Sequence, residues 1–446
     1  RLFILFIFPA ILGGISVFSF QPFNFFFLNF FSLPALFWLV LYVKKKSKSV
    51  YRKKPYVKNL FFLGTSYGFS FFFFGLYWII YSMTFDDAFK MFIPFGLVLI
   101  PIFLSLFFSI PIILSGYLIN EKISSIILIS FLFGLGDYIR GIILTGFPWN
   151  LWIYSLSSSI ENLQLLDSLG FLTLNLITIT IFFIPSVIFM KNFSKYFILG
   201  IFITILFSNY FYGSYKINSK IPYKGENKIN FKIVTAGINL KEFEDQDLVI
   251  SKLIKISEPK ENQKTIFVWP EGVILDSNFL KKSKFKELIK NNFSKNHLII
   301  LGANTKETTD NNMKYYNSLI IIDNEINVVG EYNKLKLVPF GEFLPFETVF
   351  KKIGLKKVTA GYNSFSKGNN KSTITINFDK NEINLLPLIC YEIIFPSLIQ
   401  KKNNHFNFII NISEDAWFGE SIGPHQHFAK AIFRSIESKS FTIRSA

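Results

Sequence analysis

A single cysteine, Cys390, stands among the 446 residues, at the end of the apolar run LLPLIC and directly before Tyr391 and Glu392. One thiol cannot close an intramolecular disulfide, so Cys390 is either a small buried apolar residue or a nucleophile. The run before it reads as a strand, which leaves the thiol at a strand end. Other chemistry-bearing residues occupy similar places. IFVWPEG delivers Glu271 just past an apolar run, with Pro270 and Gly272 marking a turn. EYNKLKLVPFGEFLP supplies Lys334 and Glu342 around another. A carboxylate can move protons, an ammonium can hold negative charge, and a thiolate can attack an acyl carbon. Taken singly, each also has a plain structural reading: loop carboxylate, surface lysine, core cysteine.

The elements that must position these residues begin near Ile221. KINFKIVTAG, TIFVWP, HLIILGAN, YNSLIIID, STITINF, INLLPLIC and FNFIINI read as strands. Polar, Lys-rich stretches near 246–258, 279–293 and 425–438 read as helices. Alternating strands and helices indicate a layered α/β domain over 221–446. The stretch from 338 to 370 carries Gly, Ser and Asn and is expected to be a long loop, a candidate lid. No repeat, Gly-rich phosphate loop or metal-ligand cluster stands out, so neither cofactor nor metal is expected.

Before residue 216 the chain changes character. Half of all residues are hydrophobic, 57 are Phe, and the formal charge is +17. The lysines lie in short runs between apolar stretches, the pattern of membrane-protein loops rather than of a nucleic-acid surface. About 20 apolar residues cross a bilayer as a helix. Seven spans are expected over 1–215, near 2–20, 25–43, 59–82, 91–118, 123–146, 164–190 and 196–214. Pro101 and Pro111 are expected to kink the fourth or turn it back. Lys44, Lys45, Lys46, Lys48, Arg52, Lys53, Lys54 and Lys58 mark the cytoplasmic side. The loops TFDDAF and FPWNLWIYSLSSSIEN carry no basic residue and fall outside. An odd number of spans then places everything after Tyr215 on the outer face.

Together and in this order, VWPEG, YNKLKLVPFGEFLP, ICYEIIFP and NISEDAWFGESIGPHQHFA resemble the nitrilase superfamily, and more narrowly its apolipoprotein N-acyltransferase family. FSFQPFN, GLYWIIYSM and YIRGIILTGFPWNLWIYS in the membrane half are similar to the same family's stretches. The resemblance implies a multi-pass helical membrane domain followed by an α-β-β-α sandwich. It implies a Glu271–Lys334–Cys390 triad without metal or cofactor. Cys390 would attack the sn-1 ester of a phospholipid, Glu271 would move the protons, and Lys334 would stabilise thiolate and oxyanion. The acyl chain would pass from the thioester to the amine of a diacylglyceryl-cysteine on a prolipoprotein. Glu342, Tyr391, Glu392 and Trp417 carry over as supporting residues, with Trp417 equally readable as core. Arg140 and Trp149 would face headgroup or acyl chain, and Trp78 and Tyr81 would do so or sit in the interfacial belt. The implied setting is the bacterial inner membrane, with a monomeric enzyme whose catalytic domain is periplasmic.

The chain departs from the family pattern at Lys336, where His is common, and at Glu414, where Asn is usual. Phe243 is the nearest counterpart of a family Trp. The family also continues past FTIRSA with further strands and a last span, so this chain reads as C-terminally truncated. Three other readings stand beside the acyltransferase. They are a membrane-tethered amidase or nitrile hydrolase, a non-enzymatic transporter or scaffold, and a truncated acyltransferase that has lost activity.

Overall fold

The computed structural model describes the chain from Arg1 to Ala446 except 47–55, 86, 192–193, 220–228, 236, 238–244, 310–311, 346–363, 370–372 and 400–405. Phe243 and most of the expected 338–370 loop lie outside the described residues. Two compact units emerge, Arg1–Ile221 with Glu420–Glu437, and Pro222–Gly419 with Ser438–Ala446.

The first unit is helical because its apolar runs have spanning length. Among the described residues, six helices are long and apolar enough to cross a membrane: α2 (Phe26–Lys46), α3 (Tyr56–Thr84), α4 (Ile93–Leu118), α5 (Ile123–Ile142), α6 (Phe171–Phe189) and α7 (Lys195–Asn218). A shorter apolar helix, α1 (Phe3–Val17), precedes them. Pro101 and Pro111 both lie inside the single helix α4. Where α3 crosses α4, a side chain on Gly64 or Gly68 would come within 2.6 and 2.8 Å of the Ser109 and Ser105 backbones. Small residues let membrane helices close on one another, where packing rather than water drives association. Hydroxyls tie the bundle further: Ser16 Oγ meets Ser32 Oγ at 2.7 Å and Tyr67 OH at 3.1 Å.

Arg140 does not face out of the bundle. It is buried at 2 % exposure, donates to Asp137 Oδ1 at 2.9 Å and to the Phe147 carbonyl at 2.9 Å, while Asn175 holds the other Asp137 oxygen at 3.0 Å. Trp149 is equally buried and lies against Trp78, the two rings tilted by 42° with 4.6 Å between centroids. Helix α10 (Gly423–Ser438) joins this unit through one buried face at helical spacing. Trp149 Nε1 donates to Gln426 Oε1 at 2.8 Å, Lys430 lies over the Trp149 and Tyr154 rings at 4.3 and 4.7 Å, and Arg434 lies over Phe171 at 4.7 Å.

The second unit contains two sheets. The first runs β1 (Asn230–Ile233), β2 (Thr265–Val268), β3 (His297–Thr309), β4 (Asn312–Ile322) and β5 (Val328–Asn333) in that order. The second runs β6 (Ile374–Phe378), β7 (Asn381–Ile389), β8 (Phe408–Ile412) and β9 (Phe441–Ser445). Between the sheets, Ile266, Val268, Ile300, Leu319 and Ile321 meet Ile376, Leu385, Ile389, Ile410 and Ile412 in one buried core. The outer face of the first sheet packs Phe267, Trp269 and Ile299 against α8 (Gln246–Ser257) and α9 (Ser283–Asn292) through Val249, Leu253, Phe285 and Ile289. Strands buried on both faces explain the near-continuous apolar runs of β2 and β7. The chain is therefore a multi-pass helical domain followed by an α/β sandwich.

Strand sense decides where the chemistry gathers. β1, β2 and β3 are parallel, and β4 is antiparallel to both β3 and β5. β5 therefore runs in the same sense as β2. In the second sheet β7, β8 and β9 are parallel. The residues just beyond β2, β5, β7 and β8 are those that matter below.

Candidate active site

Glu271 follows β2 on a turn that the backbone makes tight. Gly272 takes a left-handed φ of 70°, which costs an L side chain but not glycine. Gly302 on β3 passes so close that a Cβ there would lie 2.5 Å from the Gly272 nitrogen and 2.6 Å from Glu271 Cα. The Gly302 N–H donates to the Pro270 carbonyl at 3.1 Å and Ile274 N–H donates back to Gly302 O at 3.1 Å. Together these fix the height of the Glu271 backbone over the sheet.

Lys334 follows β5 and is pinned on both sides. Its N–H donates to Asn317 O at 2.9 Å and its carbonyl accepts from Gly368 N at 2.9 Å. The side chain is 1 % exposed. Its ammonium meets Glu342 Oε1 at 2.9 Å and Glu271 Oε1 at 3.2 Å. Burial by itself would lower the lysine's pKa, but the Glu271 and Glu342 carboxylates outweigh it and hold the ammonium well above the ordinary lysine range. Lys334 is thus a fixed cation. Glu342 is held in turn by the Val338 N–H on its other oxygen at 2.8 Å.

Cys390 is the first residue past β7 and has a φ of 48°, a conformation that L residues adopt at a cost. Glu392 holds the turn in that shape. One of its oxygens accepts from Ile389 N at 2.8 Å, and the other accepts from Leu335 N at 2.7 Å, Lys336 N at 3.0 Å and Tyr332 OH at 2.9 Å. Glu392 thereby ties the Cys390 turn to the segment carrying Lys334. Burial pushes the Glu392 carboxyl up to about 7 despite these donors. Burial also pushes the Cys390 thiol up, Glu271 adds to that, and Lys334 and a Ser413 hydrogen bond oppose it. The thiol therefore rests protonated, with a carboxylate and an ammonium close enough to alter its ionisation. Such a thiol needs a base at the moment of attack.

The structure brings Glu271, Lys334, Glu342, Cys390 and Glu392 into one cluster. Tyr391 stands on the Cys390 turn, buried, with its ring edge-on to Phe395 at 5.1 Å. Trp417 lies half-buried on the short turn Asp415–Phe418. Lys336 turns its ammonium over the Phe395 ring at 5.0 Å, while its backbone serves Glu392. Among the described residues no group of His, Cys, Asp and Glu could hold a metal ion.

Asn317 was not singled out from sequence. Its Nδ2 donates to Glu271 Oε1 at 2.8 Å and to Glu342 Oε1 at 2.6 Å, bridging the two carboxylates that Lys334 also bridges. The only sequence signal is an amide, followed by Ser318, just before the apolar run LIII of β4. Past β8, the Glu414 N–H donates to Glu271 Oε2 at 3.1 Å, while the Ser413 carbonyl accepts from the Glu271 backbone N–H at 3.5 Å.

Residues 12–184 match the apolipoprotein N-acyltransferase N-terminal domain, and residues 234–446 match the carbon-nitrogen hydrolase domain. An apolipoprotein N-acyltransferase of Rhizobium rhizogenes is 29% identical across 97% of this chain and 83% of its own length. One from Brucella suis is 28% identical across 97% and 82%. The chain belongs to the apolipoprotein N-acyltransferase family. Among solved structures, a Saccharomyces cerevisiae member of branch 10 of the nitrilase superfamily is similar at 18% identity over 49% of this chain and 76% of that one, with a TM-score of 0.31. Membership in the apolipoprotein N-acyltransferase family spans both units, so the amidase and scaffold readings gain no support. The chain is a membrane protein and an acyltransferase by kinship.

Proposed function

We propose that this protein moves the sn-1 acyl chain of a phospholipid through a Cys390 thioester onto the α-amine of a lipoprotein's N-terminal diacylglyceryl-cysteine. The observation that carries this reading is the Lys334 ammonium held between Glu271 and Glu342, beside a thiol in a left-handed turn. Glu271 takes the proton from Cys390 as sulfur attacks the ester carbonyl. Lys334 stays charged throughout, and its field favours the thiolate and the tetrahedral oxyanion. Collapse breaks the ester C–O bond, and the sn-1 alkoxide leaves with the proton from Glu271 as a lysophospholipid alcohol. In the second half the amine attacks the thioester, Glu271 takes an amine proton, and the departing thiolate recovers it. An amide replaces a thioester, so the transfer runs downhill.

Reading α1 as a crossing beside the six longer helices supports a catalytic domain on the side of the membrane opposite the Lys44–Lys46 cluster. This is the periplasmic side of a bacterial inner membrane, where the lipid donor and prolipoprotein acceptor are both present. The enzyme is read as a monomer needing no cofactor.

Membranes carrying the protein are incubated with phospholipid labelled on the sn-1 chain. Hydroxylamine-labile label should appear on the wild type and be absent from Cys390→Ser. A diacylated lipopeptide should then collect the label as a hydroxylamine-stable amide. Label that persists in the serine variant would overturn the thioester; a labelled enzyme that releases only free fatty acid would make it a hydrolase.

A further inference from the structure

Two glutamates share one corner of this centre. Both oxygens of Glu271 are engaged: Oε1 by Lys334 and Asn317, Oε2 by the Glu414 backbone N–H at 3.1 Å. The Glu414 side chain folds over its own turn, where one oxygen accepts from Ala416 N at 3.2 Å. The neighbouring Asp415 is satisfied by the Arg444 guanidinium at 2.9 and 2.7 Å and by Ser413 Oγ at 2.7 Å. Lys334 already serves Glu271 and Glu342. Among the described residues no cation lies within ion-pair distance of Glu414. The charged groups that act on it are Glu271, from the turn after β2, and Asp415 from its own turn; both are carboxylates.

We propose that Glu414 is a proton-holding carboxyl that sets the alkaline limit of the Glu271–Cys390 centre, neutral while the enzyme works and inhibitory once ionised. The inference rests on the thioester reading above. Carboxylates that crowd one poorly solvated site do not all ionise, and the one without a cation keeps its proton. Burial first, then Glu271 and Asp415, push Glu414 up to about 8, against the Ala416 hydrogen bond. Attack by sulfur builds negative charge on the thiolate and then on the ester oxygen. A second carboxylate beside Glu271 opposes both, since the site holds one ammonium against Glu271 and Glu342 already. Glu414 acts through Glu271 and is a positioning residue rather than a group that touches the substrate.

Two measurements on the full chain in detergent or vesicles test this. Difference infrared spectra should contain a carboxylic-acid carbonyl band that disappears as pH rises through about 8 and is missing from Glu414→Gln. The rate of Cys390 labelling from sn-1-labelled phospholipid should fall over the same range in the wild type and in Glu414→Asp, which keeps the carboxyl. In Glu414→Gln, whose amide still accepts from Ala416, the fall should move up by roughly one pH unit or more. Superimposed wild-type and Gln profiles would overturn the proposal, as would a Gln variant slowed equally at every pH. An absent band would do the same. Failure of the wild type to label at any pH is a different result: it removes the thioester itself.

Discussion

At the residue scale the site is an arrangement of charge around one buried cation. Lys334 stays ionised because two carboxylates compensate its desolvation, and removing one partner of such a group leaves the other uncompensated. Glu271→Gln should therefore lose both thioester formation and transfer, since the amide cannot take the thiol proton; normal turnover would make the base assignment wrong. Asn317 tests a subtler point. Its amide restrains both carboxylates without taking part in proton transfer. Hydrogen bonds to charged groups contribute about 1.5–3 kcal/mol, so Asn317→Ala should slow Cys390 labelling by roughly 10- to 100-fold and leave phospholipid binding in place. Single-turnover labelling measured against donor concentration separates the two. A raised half-saturation with an unchanged maximal rate would count against the restraining role.

At the scale of elements, β3 limits where Glu271 can stand. Gly302 faces the Glu271–Gly272 backbone with no room for a methyl group. Gly302→Ala must lift that turn, and a misplacement of about 1 Å at a reacting group costs on the order of 100-fold in rate. The expected result is a folded protein with labelling depressed about 100-fold, checked by far-UV circular dichroism beside the labelling assay. A variant that labels at the wild-type rate would mean the turn is not held by β3. The polar face of α10 makes a comparable point in the helical unit: Gln426, Lys430 and Arg434 spend their side chains on Trp149, Tyr154 and Phe171. That helix follows β8 in sequence, yet its contacts group it with the membrane helices.

At the scale of the whole molecule, acids that keep their protons above the ordinary carboxyl range make stability depend on pH. Glu392 and Glu414 have folded-state values raised to about 7 and about 8, above the ordinary 4.5. As pH rises past 4.5 the unfolded chain releases both protons while the folded chain keeps them, so the folded state is progressively disfavoured until pH passes about 8. The advantage that the Glu414 proton gives is fully present below 4.5 and gone above about 8. Glu414→Gln should lose this dependence. The melting temperature of the wild type minus that of the Gln variant should therefore fall with rising pH, measured in one detergent. A difference that grows instead would contradict the raised value.

Much of this was legible in the sequence because local patterns carry it. Spanning length marked the membrane helices, continuous apolar runs marked β2, β7 and β8, and Glu271, Lys334 and Cys390 stood at or beside apolar runs. β5 and β9 escaped notice: VVGEYN is interrupted by Gly330 and faces solvent at Val328 and Val329, and FTIRS is short with Phe441 exposed. Asn317 escaped because an amide in a strand has no meaning until its neighbours are known. Sequence by itself marked the segments of spanning length, most of the strands, and the runs beside which Glu271, Lys334 and Cys390 stand. Tertiary structure alone decided that one lysine among 47 basic residues would be buried between two carboxylates. The reason is topological: with β4 antiparallel to both its neighbours, β5 ends on the same edge as β2. Face-to-face packing of the sheets then brings the ends of β7 and β8 to meet them. No local pattern encodes that convergence.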